Sequence, residues 1–199
     1  ARDELSQLPL LVMARSQTRG RGRSGADWVT ADRALAASLS FHHDPDETRP
    51  LSLIAGLAAV TVIDGAGLKW PNDVMIGFAK VGGILVERGG GETVVGFGLN
   101  LWWPDAPLGT TAIHRADPGD AIYAEVGALW GAELLRLIDT PGWPVDRYRE
   151  ACVTLGSEIT WEPDGSGRAV DVNDAGGLVV ETSQGTRTIN SGEVRHVRG

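Results

Sequence analysis

Four short stretches of the chain combine residue types that could bind or activate an anion: GRGRSG at 20–25, KWPND at 69–73, KVGGILVE at 80–87 and GFGLN at 96–100. The first lies in a run that carries Arg15, Arg19, Arg21 and Arg23 interleaved with glycine. Guanidinium binds phosphate or carboxylate as a planar fork, and glycine lets the backbone approach the same group closely. GRGRSG also satisfies G-x-G-x-x-G, the dinucleotide fingerprint, but that fingerprint requires an apolar helix directly after the glycines. Here the run continues into ADWVTADR. A loop that wraps a triphosphate fits better than a Rossmann turn, and a solvated arginine loop is the plain alternative.

Of the 18 cationic Lys and Arg side chains only Lys69 and Lys80 are lysines, and both sit in or beside strand-like apolar runs. A lysine is a compact point charge suited to a single phosphate oxygen or carbonyl. KWPND joins such a cation to an aromatic, a turn-forming Pro-Asn pair and Asp73; an ordinary turn would use the same Pro, Asn and Asp. In KVGGILVE the paired Gly82 and Gly83 leave no side chain to block a ligand or a crossing backbone, although a simple bulge would also use them. GFGLN repeats the device at Gly96 and Gly98 and adds Asn100, which offers both a donor and an acceptor.

The elements that position these motifs read in order from hydrophobic spacing. Residues 8–14 and 35–41 read as strands, 50–64 as a helix opened by Pro50, and 68–101 as strands joined by the turns PND, GFAK and GGGE. Residues 120–138 and 144–155 return to helical spacing, the second starting at Pro144. From Gly156 onward, short strand-like pieces separated by DGSG, NDAGG and SQG suggest a small barrel. The expected domains are therefore 1–155 and 156–199.

Composition narrows the class. The 199 residues carry a net charge of −8, which argues against a surface built to grip nucleic acid. The single Cys152 cannot form an internal disulfide, and no apolar run approaches a membrane span of about 20 residues. No secretory signal pattern opens the chain. A cytoplasmic protein with no membrane or nucleic-acid partner is expected.

Together GRGRSGADW, KWPND, KVGGILVE and GFGLN, in this order and spacing, resemble the biotin protein ligase family, with the actinobacterial members nearest in their arginine-rich texture. The stretch from Gly167, GRAVDVNDAGGLVVE, and the closing SGEV look like that family's C-terminal SH3-like domain. The resemblance covers nearly the whole chain. It implies an α+β fold, a mixed sheet with helices of the class II synthetase-like biotin/lipoate ligase type, followed by the SH3-like barrel. It also implies the reaction: biotin and ATP form biotinyl-5'-AMP, and a lysine of the biotin carboxyl carrier protein of acetyl-CoA or a related carboxylase then takes the biotinyl group. Mg²⁺ is the implied metal, and a monomer or weak homodimer the implied state.

By the same resemblance Lys80, Arg23 and Arg21 are the catalytic cations. Gln17, Gly20 and Arg21 help hold biotin, and Gly83, Leu85, Gly96 and Gly98 form its slot. Trp28 stacks near adenine and Asn100 reads it, while Lys69, Asn72 and Asp73 face the phosphates, Asp73 also holding Mg²⁺. Two departures stand out. The family's third loop arginine is replaced by Ala26, followed by Asp27. The family's strand and helix with a Ser-Thr-Asn signature, expected ahead of the loop, do not lie within these residues, and no winged-helix segment supports a repressor role. A degenerate non-catalytic binder and a lipoate ligase are the competing expectations.

Overall fold

The computed structural model describes residues 8–197. Strands β1 (Leu10–Ala14), β2 (Arg33–His42), β3 (Ala66–Lys69), β4 (Asp73–Ile76), β5 (Ala79–Gly89) and β6 (Glu92–Trp102) form one sheet in the order β1-β2-β6-β5-β4-β3. A mixed sheet was the expectation; all pairings between these strands are antiparallel, and parallel contacts are confined to isolated bridges such as Leu68 with Cys152 and Lys80 with Thr110. Consecutive strands β3 to β6 are joined by short turns, which permits only this antiparallel arrangement.

Helix α1 (Leu51–Val62) is apolar around most of its circumference, so it is buried on several sides rather than along one stripe. It packs on β3 to β6 and is covered by α2 (Ile122–Asp139) and α3 (Val145–Ala151). The indole N–H of Trp130 on α2 donates to the Ala55 carbonyl at 3.2 Å, and its ring lies 5.2 Å from Phe97 on β6. Sheet, α1 and α2 thus share one core.

The helix expected over 144–155 ends at Ala151. Beyond it the chain runs beside β3, with the Val153 N–H on the Leu68 carbonyl at 2.9 Å and the Thr154 hydroxyl accepting the Trp70 N–H at 2.9 Å. Edge pairing wins over helix continuation because β3 would otherwise expose unpaired backbone groups. The remaining strands, β7 (Glu158–Trp161), β8 (Gly165–Val172), β9 (Leu178–Thr182), β10 (Gly185–Ile189) and β11 (Val194–His196), form an antiparallel sheet ordered β10-β9-β8-β7-β11. A register shift between Ala169 and Asp171 bends β8, and Ile159, Val172, Leu178, Val180 and Val194 fill the inner face. This unit is consistent with an SH3-like barrel.

Candidate active site

Strand alternation sets the floor. Val95, Phe97, Leu99 and Leu101 of β6 are buried in the shared core. By the two-residue period Val94, Gly96 and Gly98 then fall on the opposite face, where they line a cavity of about 410 Å³. A regular β5 would place Lys80 and Gly83 on opposite faces. In the observed register Met75 opposes Lys80 while Val74 opposes Gly82, so Val81 is an extra residue. The bulge re-aims Lys80 into the cavity beside Gly83 while Val81 stays fully buried.

The roof is the arginine/glycine loop, folded as a small hairpin. Gly22 N–H donates to the Ala26 carbonyl at 2.7 Å and Trp28 N–H to the Gly20 carbonyl at 3.1 Å, with Arg21 bridged to Asp27. Gly20 is required here because a Cβ would lie 2.6 Å from the Trp28 carbonyl oxygen. The Trp28 indole rests over the sheet where Gly98 offers room: a Cβ at 98 would sit 2.9 Å from two indole atoms. Lys80 Nζ lies 5.6 Å from the centre of the same ring, a cation–π contact.

Arg23, at the tip, reaches away from the hairpin. Its Nη1 donates to Asn72 Oδ1 at 3.2 Å and to the Gly192 carbonyl at 3.3 Å. Asn72 in turn donates from Nδ2 to the Ile84 carbonyl at 3.0 Å and accepts the Ile84 N–H on its own carbonyl at 2.8 Å. Loop, KWPND turn, β5 and barrel therefore meet at one arginine.

Asp73 sits between the two lysines, with Lys80 Nζ 2.5 Å from Oδ1 and Lys69 Nζ 3.8 Å from Oδ2. Among the described residues no group of three or more His, Cys, Asp or Glu could hold a metal ion. The expected carboxylate, Asp73, already faces two ammonium groups, so it does not fit as a ligand of a Mg²⁺ held by the protein itself.

Of the expected site residues, Gln17, Arg21, Arg23, Trp28, Lys69, Asn72, Asp73, Lys80, Gly83, Leu85, Gly96 and Gly98 line this cavity together. Gly20 supports Trp28 from behind. Asn100 does not line it: the residue is 2% exposed, its Nδ2 donates to the Thr111 carbonyl at 2.9 Å, and its Oδ1 has no hydrogen-bond partner among the described residues. Sequence reasoning missed Ser38 on β2, Glu87 on β5 and Glu193 of the barrel, all of which line the cavity. Ser38 and Glu87 share the alternation that marks Gly96, whereas the contribution of Glu193 depends on how the barrel packs, for which the sequence carries no signal.

A sheet floor opened at Gly83, Gly96 and Gly98 and an arginine-bearing roof enclose a cleft that could take an anion-bearing ligand. Residues 3–101 match the biotin/lipoate A/B protein ligase family, and residues 154–197 the biotin protein ligase C-terminal domain. The biotin--[acetyl-CoA-carboxylase] ligase of Mycobacterium tuberculosis is 30% identical over 95% of this chain and 79% of its own length. That of Paracoccus denitrificans is 30% identical over 92% and 88%. Among solved structures, the biotin protein ligase of Aquifex aeolicus in complex with biotin and ATP superposes with a TM-score of 0.78 at 26% identity, over 95% of this chain and 89% of that one. The chain belongs to the biotin protein ligase family.

Proposed function

We propose that the protein attaches biotin to a carrier-protein lysine in two steps, both run in the cavity between the arginine loop and the sheet. The observation that carries this reading is that all four motif segments converge on that one cavity. In the first step a biotin carboxylate oxygen attacks the α-phosphorus of ATP, the bond to the β-phosphate bridging oxygen breaks, and pyrophosphate leaves. In the second, the neutral amine of the carrier lysine attacks the acyl carbon, AMP departs with the electron pair of the acyl–oxygen bond, and the amine loses a proton.

Joining two anions needs cations that neutralise the crowded phosphorus centre, and that part falls to Arg21, Arg23 and Lys80, which line the cavity. Gly83, Leu85, Gly96 and Gly98 form the biotin slot, with Gln17 and the Gly20–Arg21 backbone at its mouth. Lys69 and Asn72 face the phosphates from the KWPND turn, and Trp28 offers a face to adenine. Asn100 lies behind the cavity wall, so its part in adenine recognition is to fix the segment at Thr111 and Ile113 rather than to touch the base. Mg²⁺ enters with ATP as part of that substrate, while Asp73 holds the two lysines in place.

The partner is the biotin carboxyl carrier protein of acetyl-CoA or a related carboxylase. A cytoplasmic setting accords with the buried, unpaired Cys152, and no helix among the described residues is long and apolar enough to cross a membrane. Incubation with biotin, ATP and a carrier domain should add one biotinyl group to a single carrier lysine, read by mass spectrometry. No mass gain, or equal transfer of lipoate, would refute the reading.

A further inference from the structure

The segment between β6 and α2 carries none of the sequence motifs, yet it backs two of the proposed nucleotide groups. The Lys80 N–H donates to the Gly109 carbonyl at 2.9 Å, and the Lys80 carbonyl accepts the Thr111 N–H at 2.8 Å. The Asn100 carbonyl accepts the Ile113 N–H at 3.1 Å, and its side-chain amide donates to Thr111. The far end of the segment is tied down by charge. Arg33, the first residue of β2, donates through Nε and Nη2 to the Asp117 carboxylate at 3.0 Å each, and through Nη1 to Asp120 at 2.6 Å. Arg15, just after β1, reaches Asp120 at 3.1 Å and lies 5.6 Å over the Tyr123 ring. Asp117 also accepts the Gly119 N–H at 2.9 Å, which fixes the turn presenting it.

Arg15 and Arg33 stand at the two stems of the arginine/glycine loop, because β1 and β2 pair antiparallel on either side of it. The clasp therefore fastens the roof of the cavity to the segment behind Lys80 and Asn100. An isolated exposed ion pair contributes little, but a fork with a second carboxylate on the same guanidinium is the favourable exception. The neighbouring carboxylates also raise the Arg33 guanidinium above its ordinary range, chiefly through the hydrogen bond to Asp117.

We propose that Arg33, supported by Arg15, is a positioning residue for the nucleotide: through Asp117 and Asp120 it holds residues 107–114 against Lys80 and Asn100. The proposal rests on the function assigned above, and it names a residue that touches neither substrate. In biotin-dependent ATP–pyrophosphate exchange, Arg33→Ala should raise the KM for ATP about three- to tenfold, with a fall in kcat smaller than that rise. The biotin dissociation constant, titrated without ATP, should stay unchanged, and Arg33→Lys should recover part of the loss. Adding Asp117→Asn to Arg33→Ala should change little further, because the Arg33–Asp117 contact is already lost in Arg33→Ala. An unchanged KM, strictly additive changes, or an equal loss of biotin affinity would overturn the proposal. Should the unaltered protein show no exchange at all, the assigned function fails and hydrogen–deuterium exchange carries the test. The Thr111 and Ile113 amides should then exchange faster in Arg33→Ala, by about tenfold or less, and equal rates would overturn the clasp.

Discussion

At the scale of single residues, the proposed chemistry rests on two cations held in different ways. Lys80 is aimed by a bulge and braced by Asp73, so Lys80→Ala should leave the thermal midpoint nearly unchanged while reducing adenylate formation by about 10²-fold or more. Near-parent exchange rates in the folded variant would remove Lys80 from the reaction. Arg23 instead spans Asn72 and the Gly192 carbonyl, and the role proposed for it is retention of a labile intermediate. Arg23→Gly should still form adenylate but release it about ten- to a hundredfold faster, from about 1.5–3 kcal/mol for a charge-assisted hydrogen bond. Rapid-filtration measurement of the adenylate off-rate reads this directly; an unchanged off-rate would show that another group holds the phosphate. That both cations belong with the cavity was legible from type and spacing. The Asp73 brace was not, because an acid four residues from Lys69 reads equally as a turn residue or a metal ligand until β4 and β5 are paired.

Among elements, the strands and helices were legible wherever periodicity was strong, and register was not. The extra residue at Val81 decides which face Lys80 takes, and no local pattern in AKVGGILV distinguishes a bulged from a regular strand. The segment after β6 likewise has no period, since its backbone is satisfied by Lys80, Asn100 and Leu101 rather than by a ladder of its own. Helix α2 shows how side chains outside an element can finish it. Arg49 donates Nη1 to the carbonyls of Ile138, Thr140 and Gly142 at 3.0–3.1 Å, covering the helix C-terminus, and pairs with Glu47 through Nε and Nη2. Arg49→Ala should therefore lower stability by about 1–3 kcal/mol, seen as a thermal midpoint lower by roughly 3–10 °C. The hydrogen bond from Arg49 also holds the Glu47 carboxyl below its usual range. A depressed carboxyl stabilises above its unfolded range and loses that contribution as the pH falls, so the gap between parent and Arg49→Ala should narrow on acidification. A midpoint that is the same in both proteins at neutral pH would show that water caps α2 equally well.

In the whole molecule barrel and sheet meet through exposed contacts such as Arg23 with Gly192 and through buried ones. Trp70, 2% exposed, donates its indole N–H to the Gly176 carbonyl at 3.0 Å, and its backbone N–H to Thr154. Trp70→Phe should cost about 1–3 kcal/mol in denaturant unfolding, as one buried carbonyl loses its donor. A change below about 0.5 kcal/mol would show that this contact does not join the two units. The two units were expected from the shift in texture near residue 155, but their packing, which brings Gly192 to Arg23 and Glu193 to the cavity, had no sequence signal. The central claim is that this assembled cavity activates biotin with ATP, and exchange of labelled pyrophosphate into ATP by the purified protein tests it most directly. Incorporation that requires biotin, is not supported by lipoate and is lost in Lys80→Ala is the predicted result. Incorporation independent of biotin, or none under conditions where the folded protein is intact, would contradict it.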